Sequence, residues 1–168
     1  SELPKVLHLL KEKPLIVHVI ESALKINPIK IGIIVGKYKN IIEMTINQYL
    51  KDISKIEYII QEKALGTGHA IMCCKDFLSN YKNSSVTILS GDVPLIKSDT
   101  IQKALNQFKT DGIPLFSVNE YYSRFYNKDK TEINHSIETL IPTQELDPIY
   151  EENSNFYIFS KENFKDMN

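Results

Sequence analysis

The chain has 168 residues, with 20 basic against 21 acidic and a net charge of −1. That length suits about one domain with a substantial core, and the even charge is unlike the basic footprint of a dedicated nucleic-acid binder. With no apolar run near the ~18 residues that span a bilayer, no apolar leader-like start and its two cysteines side by side at Cys73 and Cys74, the sequence predicts a cytoplasmic protein with no disulfide framework, zinc cluster or membrane partner.

Apolar periodicity alternates between helix and strand types. Pro14 precedes a run in which Leu15, Ile16, Val19, Ile20, Ala23 and Leu24 recur at helical spacing, and Pro28 stops it. Ile29–Val35 is a short β-branched run closed by Gly36 and reads as a buried strand. The sequence then predicts a helix over Asn40–Leu50 and a strand over Ile56–Gln61. Gly66–Thr67–Gly68 opens a helix through His69–Phe77. A third buried strand, Val86–Leu89, runs straight into Ser90–Gly91–Asp92. A helix over Asp99–Phe108 follows, with Ser98 as its N-cap, then a strand over Pro114–Val118. Residues 119–150 lose any clean period and read as an irregular arm, and strand character returns at Phe156–Phe159. This alternation, with strands apolar on both faces, predicts an α/β fold with a mostly parallel sheet and helices on both faces.

In such sheets ligands bind outside the carboxyl ends of the strands, so the residues after each strand are the candidates. Gln61 is followed by Gly66, Thr67 and Gly68 just before a helix. Glycines there let the backbone approach a ligand, although a plain strand-to-helix turn needs the same residues. Asp92, preceded by Gly91, stands at the end of a strand. A carboxylate there can seat Mg²⁺ alongside phosphates or simply cap the turn. Lys5 lies before the first helix, where it can reach phosphate as a point charge or stay solvated. The four histidines are scattered, and neither a complete phosphate-binding P-loop nor a serine nucleophile elbow is present.

Together these segments are more specific than any one alone. Leu3-Pro-Lys-Val-Leu-His8, Lys13-Pro-Leu-Ile-Val-His-Val-Ile20, Gln61 through Ala70 and Gly91-Asp-Val-Pro-Leu-Ile96 resemble the uridylyltransferase domain of bacterial N-acetylglucosamine-1-phosphate uridyltransferases, over residues 1–110. Residues 112–168 resemble acylneuraminate cytidylyltransferases, through Leu115-Phe-Ser-Val118, Arg124-Phe-Tyr126, Ile133-Asn-His135, Thr143-Gln-Glu-Leu-Asp-Pro148 and Tyr150 through Phe159. Both families share a Rossmann-like nucleotidyltransferase fold. The resemblance therefore implies one domain, with a nucleotide-binding half in 1–110 and a sugar-binding half in 112–168.

It also implies roles. Lys5 would hold phosphate, and Gln61, Gly66 and Thr67 would line the base pocket. Ser90, Gly91 and Asp92 would face ribose and phosphates, with Asp92 on Mg²⁺. Glu152 and Asn153 would contact the sugar, Asn153 being supported by both families; the other reading of that stretch is a polar turn in which Asn153 bonds its own backbone. The partners would be UTP and a sugar 1-phosphate, with a homodimer contact through 119–150. The family's Gly-x-Gly-Thr-Arg phosphate loop and central strand are expected upstream of Ser1, and a second metal residue beyond Asn168. Pro142 replaces an arginine usual in the cytidylyl family. The implied reaction makes UDP-N-acetylglucosamine. The alternatives are a CMP-sugar synthetase and an inactive nucleotide-sugar-binding protein.

Overall fold

The computed structural model describes residues 3–121 and 148–162 of the protein. Two compact units partition the chain. The first comprises Ser1–Leu115 with Phe156–Asn168, the second Phe116–Asn155. This division crosses the expected halves, because Phe156–Ser160 returns to pair with Ser85–Leu89.

In the first unit, Pro4 is followed by a single 3₁₀ turn, Lys5–Leu7. A small antiparallel hairpin comes next, β1 (Leu9–Leu10) with β2 (Lys13–Pro14). Its two turn residues, Lys11 and Glu12, both adopt positive φ, at 48° and 64°. A two-residue hairpin loop imposes that geometry, usually on glycine or asparagine. Helix α1 (Leu15–Leu24) then buries Ile16, Val19, Ile20 and Ala23 of the stripe its spacing predicts, together with Val17, while Leu15 and Leu24 are half-buried. Strand β3 (Ile31–Val35), helix α2 (Lys39–Tyr49) and strand β4 (Ile56–Ile60) complete a β-α-β unit. The two strands are parallel, in register from Ile31↔Ile56 to Val35↔Ile60. Leu7, Ile16, Val17, Ile20, Ile33, Val35, Ile42 and Ile46 form one core cluster around this unit.

The expected helix over His69–Phe77 is two short ones, α3 (Thr67–Met72) and α4 (Lys75–Ser79), separated at Cys73–Cys74. Strand β5 (Ser85–Leu89) leads through the Ser90–Asp92 turn to helix α5 (Ser98–Asp111). Lys97, extended at φ −96° and ψ 141°, holds the N-cap position, so Ser98 is the first helical residue rather than the cap. Gly112 closes α5 in the left-handed region, its N–H donating to the Phe108 carbonyl. Strand β6 (Leu115–Tyr121) passes into the second unit, and β7 (Ile149–Ser160) starts there and ends in the first. The expected arm and dimer region at 119–150 lies mostly outside the described residues. No helix among them is long and apolar enough to cross a membrane.

The α/β alternation is borne out, and the described strands fall into three sheets: β1-β2, β3-β4 and β5-β7-β6. β3–β4 is parallel; β5 pairs antiparallel with β7, from Ser85↔Ser160 to Leu89↔Phe156. Among the described residues, β3 and β5 each have one edge without a strand partner. Both line one largely apolar cavity of about 630 Å³. The Ile31 N–H donates to Lys55 and the Val35 carbonyl accepts from Gln61, both on the β4 side. Backbone groups alternate along a strand, so those of Gly32 and Ile34 point away from β4.

Candidate active site

The carboxyl ends of β3 and β4 lie side by side, and the residues following them meet. The Gln61 N–H donates to the Val35 carbonyl at 2.8 Å. A Cβ at Gly36 would stand 3.2 Å from the Gln61 carbonyl oxygen, so glycine fits that close approach. The Gln61 side chain turns to the loop ahead. Its Nε2 donates to the Gly66 carbonyl at 3.2 Å and lies 3.1 Å from His69 Nδ1. A carbonyl only accepts, which fixes the amide's orientation. His69 Nδ1 is then an acceptor, and its ring proton sits on Nε2. Gln61 Oε1 has no hydrogen-bond partner among the described residues.

Gly66 holds this loop open. Its φ of 90° and ψ of −179° fall in a region essentially reserved for glycine. Thr67, next to it, is exposed and begins α3. His69 is the residue that sequence reasoning left unassigned; its signal was its place directly after Gly66-Thr-Gly68. Its Nδ1 also lies 3.9 Å from Cys73 Sγ. The neighbouring Cys74 thiol is pushed up to about 11, by burial first and then by Cys73, so it stays protonated at neutral pH.

A second cluster forms at the end of β5. Ser90, Gly91 and Asp92 make a tight turn, with the Val93 N–H donating to the Ser90 carbonyl at 3.3 Å. A Cβ on Gly91 would come within 3.3 Å of Val6 Cγ1 and 3.8 Å of Ile16 Cδ1. Glycine thus lets the 3₁₀ turn press against this strand end. Lys5 and Asp92, each next to one of those contact residues, then meet with Nζ 2.6 Å from Oδ2. The lysine is 75% exposed and the aspartate 30%. An ion pair this open contributes only about 0–1 kcal/mol to stability.

Among the described residues no group of three or more His, Cys, Asp or Glu could hold a metal ion. Asp92 alone suits a hard cation that takes one carboxylate from protein and its other ligands from phosphate and water, as Mg²⁺ does. It does not suit a zinc site. The large cavity between β3 and β5 is lined by Val6 and Gly91 but by none of Lys5, Gln61 or Asp92, so it is not where these groups converge.

Glu152 and Asn153 lie in the second unit, on β7. Asn153 Oδ1 accepts from Ser117 Oγ at 2.5 Å and from the Asn155 N–H at 3.1 Å. Its Nδ2 donates to Asn119 Oδ1 at 2.8 Å. The Asn155 bond is the local backbone turn that the polar-turn reading anticipates, accompanied by Ser154 at φ 56°. One Nδ2 proton is left over from these contacts.

The profile described as "Nucleotidyl transferase" matches residues 1–124. A protein of Acanthamoeba polyphaga mimivirus named "Probable UDP-N-acetylglucosamine pyrophosphorylase" is 40% identical over 108 residues, covering 64% of this chain and 42% of its own length. The "Bifunctional protein GlmU" of Thermotoga petrophila is 33% identical over 166 residues, 95% of this chain and 35% of its own. The chain thus spans between about a third and two fifths of the length of these curated relatives. Among solved structures, HddC from Yersinia pseudotuberculosis superposes with a TM-score of 0.62 at 20% identity, over 99% of this chain and 71% of that one. An apo UDP-glucose pyrophosphorylase superposes at 0.65 with 14% identity, over 98% and 71%. These two likenesses bear on the fold alone. The GlmU match runs through both halves of the chain, whereas the cytidylyl resemblance of residues 112–168 has no counterpart in the relatives described.

Gly66→Ala is expected to cost about 1–3 kcal/mol in urea unfolding, because alanine is strained at that φ and ψ. Gly68→Ala, with open space around its Cβ and a helical position, is expected to be neutral or stabilising by up to about 1 kcal/mol. Equal effects of the two would contradict the distinction.

Proposed function

The chain belongs to the nucleotidyl transferase family, and from that premise we propose that it joins UTP to N-acetylglucosamine 1-phosphate, giving UDP-N-acetylglucosamine and pyrophosphate. The observation that carries this reading is the approach of Lys5 to Asp92, 2.6 Å apart at the carboxyl end of β5. A cationic group and a cation-binding carboxylate at one strand end are what a polyphosphate substrate requires. The names of the relatives from mimivirus and Thermotoga petrophila support the choice of nucleotide and sugar.

The chemistry follows from the substrates. A phosphate oxygen of the sugar phosphate attacks the α-phosphorus of UTP in line. The bond from that phosphorus to the α–β bridging oxygen breaks, and pyrophosphate leaves with the electron pair. The nucleophile is already an anion near neutral pH, so no general base is needed. Catalysis reduces to positioning and charge neutralisation. Asp92 would hold Mg²⁺, which when bound supplies positive charge against the phosphates. Lys5 contributes a second positive charge, and Ser90 and Gly91 border the ribose and phosphates.

The base pocket is Gln61, Gly66 and Thr67. Uracil presents an N–H at N3, to which Gln61 Oε1 offers an acceptor; cytosine presents a lone pair there instead. Hydrogen-bonding sites reject mismatched partners strongly, because buried polar groups are left unpaired. Glu152 and Asn153 take the sugar, Asn153 through its remaining Nδ2 proton.

Asp92→Asn is expected to lower turnover at least about tenfold at fixed Mg²⁺, since one ligand charge is removed from the transferring phosphates. Steady-state kinetics across a Mg²⁺ titration checks this. Unchanged turnover with unchanged Mg²⁺ dependence would refute the role of Asp92.

A further inference from the structure

We propose that Lys5 is the resident occupant of the cation seat at Asp92, and that it exchanges this carboxylate for phosphate when a metal–nucleotide complex arrives. The inference rests on the reading of Asp92 as the metal-holding residue and adds how that seat is kept before substrate binds. A phosphate-binding lysine is expected to extend into solvent when no phosphate is present. Lys5 instead places its Nζ 2.6 Å from Asp92 Oδ2, although its side chain is 75% exposed and its residue lies 87 positions away in the chain. The ammonium thus stands against the carboxylate that would hold a divalent cation. The neighbouring residues are close as well, since a Cβ on Gly91 would stand 3.3 Å from Val6 Cγ1.

An ammonium at this distance screens the carboxylate, so a bare divalent cation meets a partly neutralised ligand. A nucleotide's phosphates offer Lys5 a stronger partner, since charge-assisted bonds to phosphate exceed an exposed ion pair. The seat therefore opens to the cation when the phosphates draw the lysine away. Metal and nucleotide then bind together rather than in sequence. Lys5 consequently has opposite effects on the two ligands: it opposes the metal alone and favours the metal with its nucleotide.

That reversal is measurable without turnover. Binding of Mn²⁺ alone is followed from the free-ion signal in electron paramagnetic resonance, and binding of Mn²⁺ with UTP, without sugar phosphate, by calorimetry. The proteins are the wild type, Lys5→Met, Lys5→Arg and Asp92→Asn. Lys5→Met is expected to tighten Mn²⁺ alone by about two- to fivefold, the range of an exposed ion pair. It is expected to weaken the Mn²⁺–UTP complex by about tenfold or more. Lys5→Arg, which keeps the charge, is expected to stay within about twofold of wild type for Mn²⁺ alone. The Lys5→Met gain is expected to shrink in high salt, where exposed charges are screened. Asp92→Asn is expected to lose Mn²⁺ binding.

A Lys5→Met protein that binds Mn²⁺ alone no more tightly than wild type overturns the exchange. If Asp92→Asn has meanwhile lost Mn²⁺ binding, the catalytic reading of Asp92 stands without it. Unchanged Mn²⁺ binding in Asp92→Asn overturns both.

Discussion

The absence of a side chain at position 91 is the constraint on which the candidate active site depends. A Cβ there would crowd Val6 at 3.3 Å and meet Ile16 at 3.8 Å. Ile16 belongs to the buried cluster that α1 lays over the parallel strands, and Val6 packs against that cluster. The end of β5 therefore lies against both the core and the turn that carries Lys5. The attraction between Lys5 and Asp92 is too exposed to hold two segments together. Packing brings the two charges together, at the place where the proposed function seats phosphate and a divalent cation. The chain of cause runs from one glycine through core packing to site electrostatics.

The elements legible in the sequence were those whose burial repeats locally. In α1 the buried stripe is continuous, in α2 it is Ile42 with Ile46, and in α5 it is Ile101 with Phe108. Each pair or stripe follows helical spacing, so periodicity found it. The β1–β2 hairpin was not legible, because its turn uses Lys11 and Glu12, residues with no preference for positive φ. The break between α3 and α4 was hidden for a similar reason. Nothing at Cys73–Cys74 is a helix breaker, yet the Cys74 N–H bonds to Ile71 three residues back and tightens the turn there. β7 reads as strand only from Phe156, because Glu151–Asn155 are polar, and their strand character comes from their neighbours rather than from their own preference. Its antiparallel pairing with β5 joins segments about 70 residues apart, a contact that local pattern does not encode.

The site divides along the same line. Gln61 and Gly66 are close in sequence, and the glycines announced the open loop between them. Family resemblance named Lys5 and Asp92 separately, but only the fold shows that they touch. That contact gives the lysine proposed to hold phosphate a carboxylate partner. His69 escaped notice because a single histidine carries little signal until Gln61 is seen to donate to it. Asn153 illustrates the opposite case. Its bonds to Ser117, Asn119 and the Asn155 backbone account for most of its polar capacity within the second unit, which the sequence alone had left as one of two readings.

The central claim is uridylyl transfer to a sugar phosphate. The most direct measurement is pyrophosphate release in the presence of Mg²⁺ from UTP and, separately, from CTP, each with N-acetylglucosamine 1-phosphate and each with free sialic acid. The account predicts release from UTP with the sugar phosphate, and selection against CTP by about 10³-fold, because a base-edge mismatch leaves polar groups at Gln61 unpaired. Equal or preferred use of CTP would contradict it in favour of a CMP-sugar synthetase. Binding of UTP with no pyrophosphate released would contradict it in favour of a protein that holds the nucleotide without transferring it.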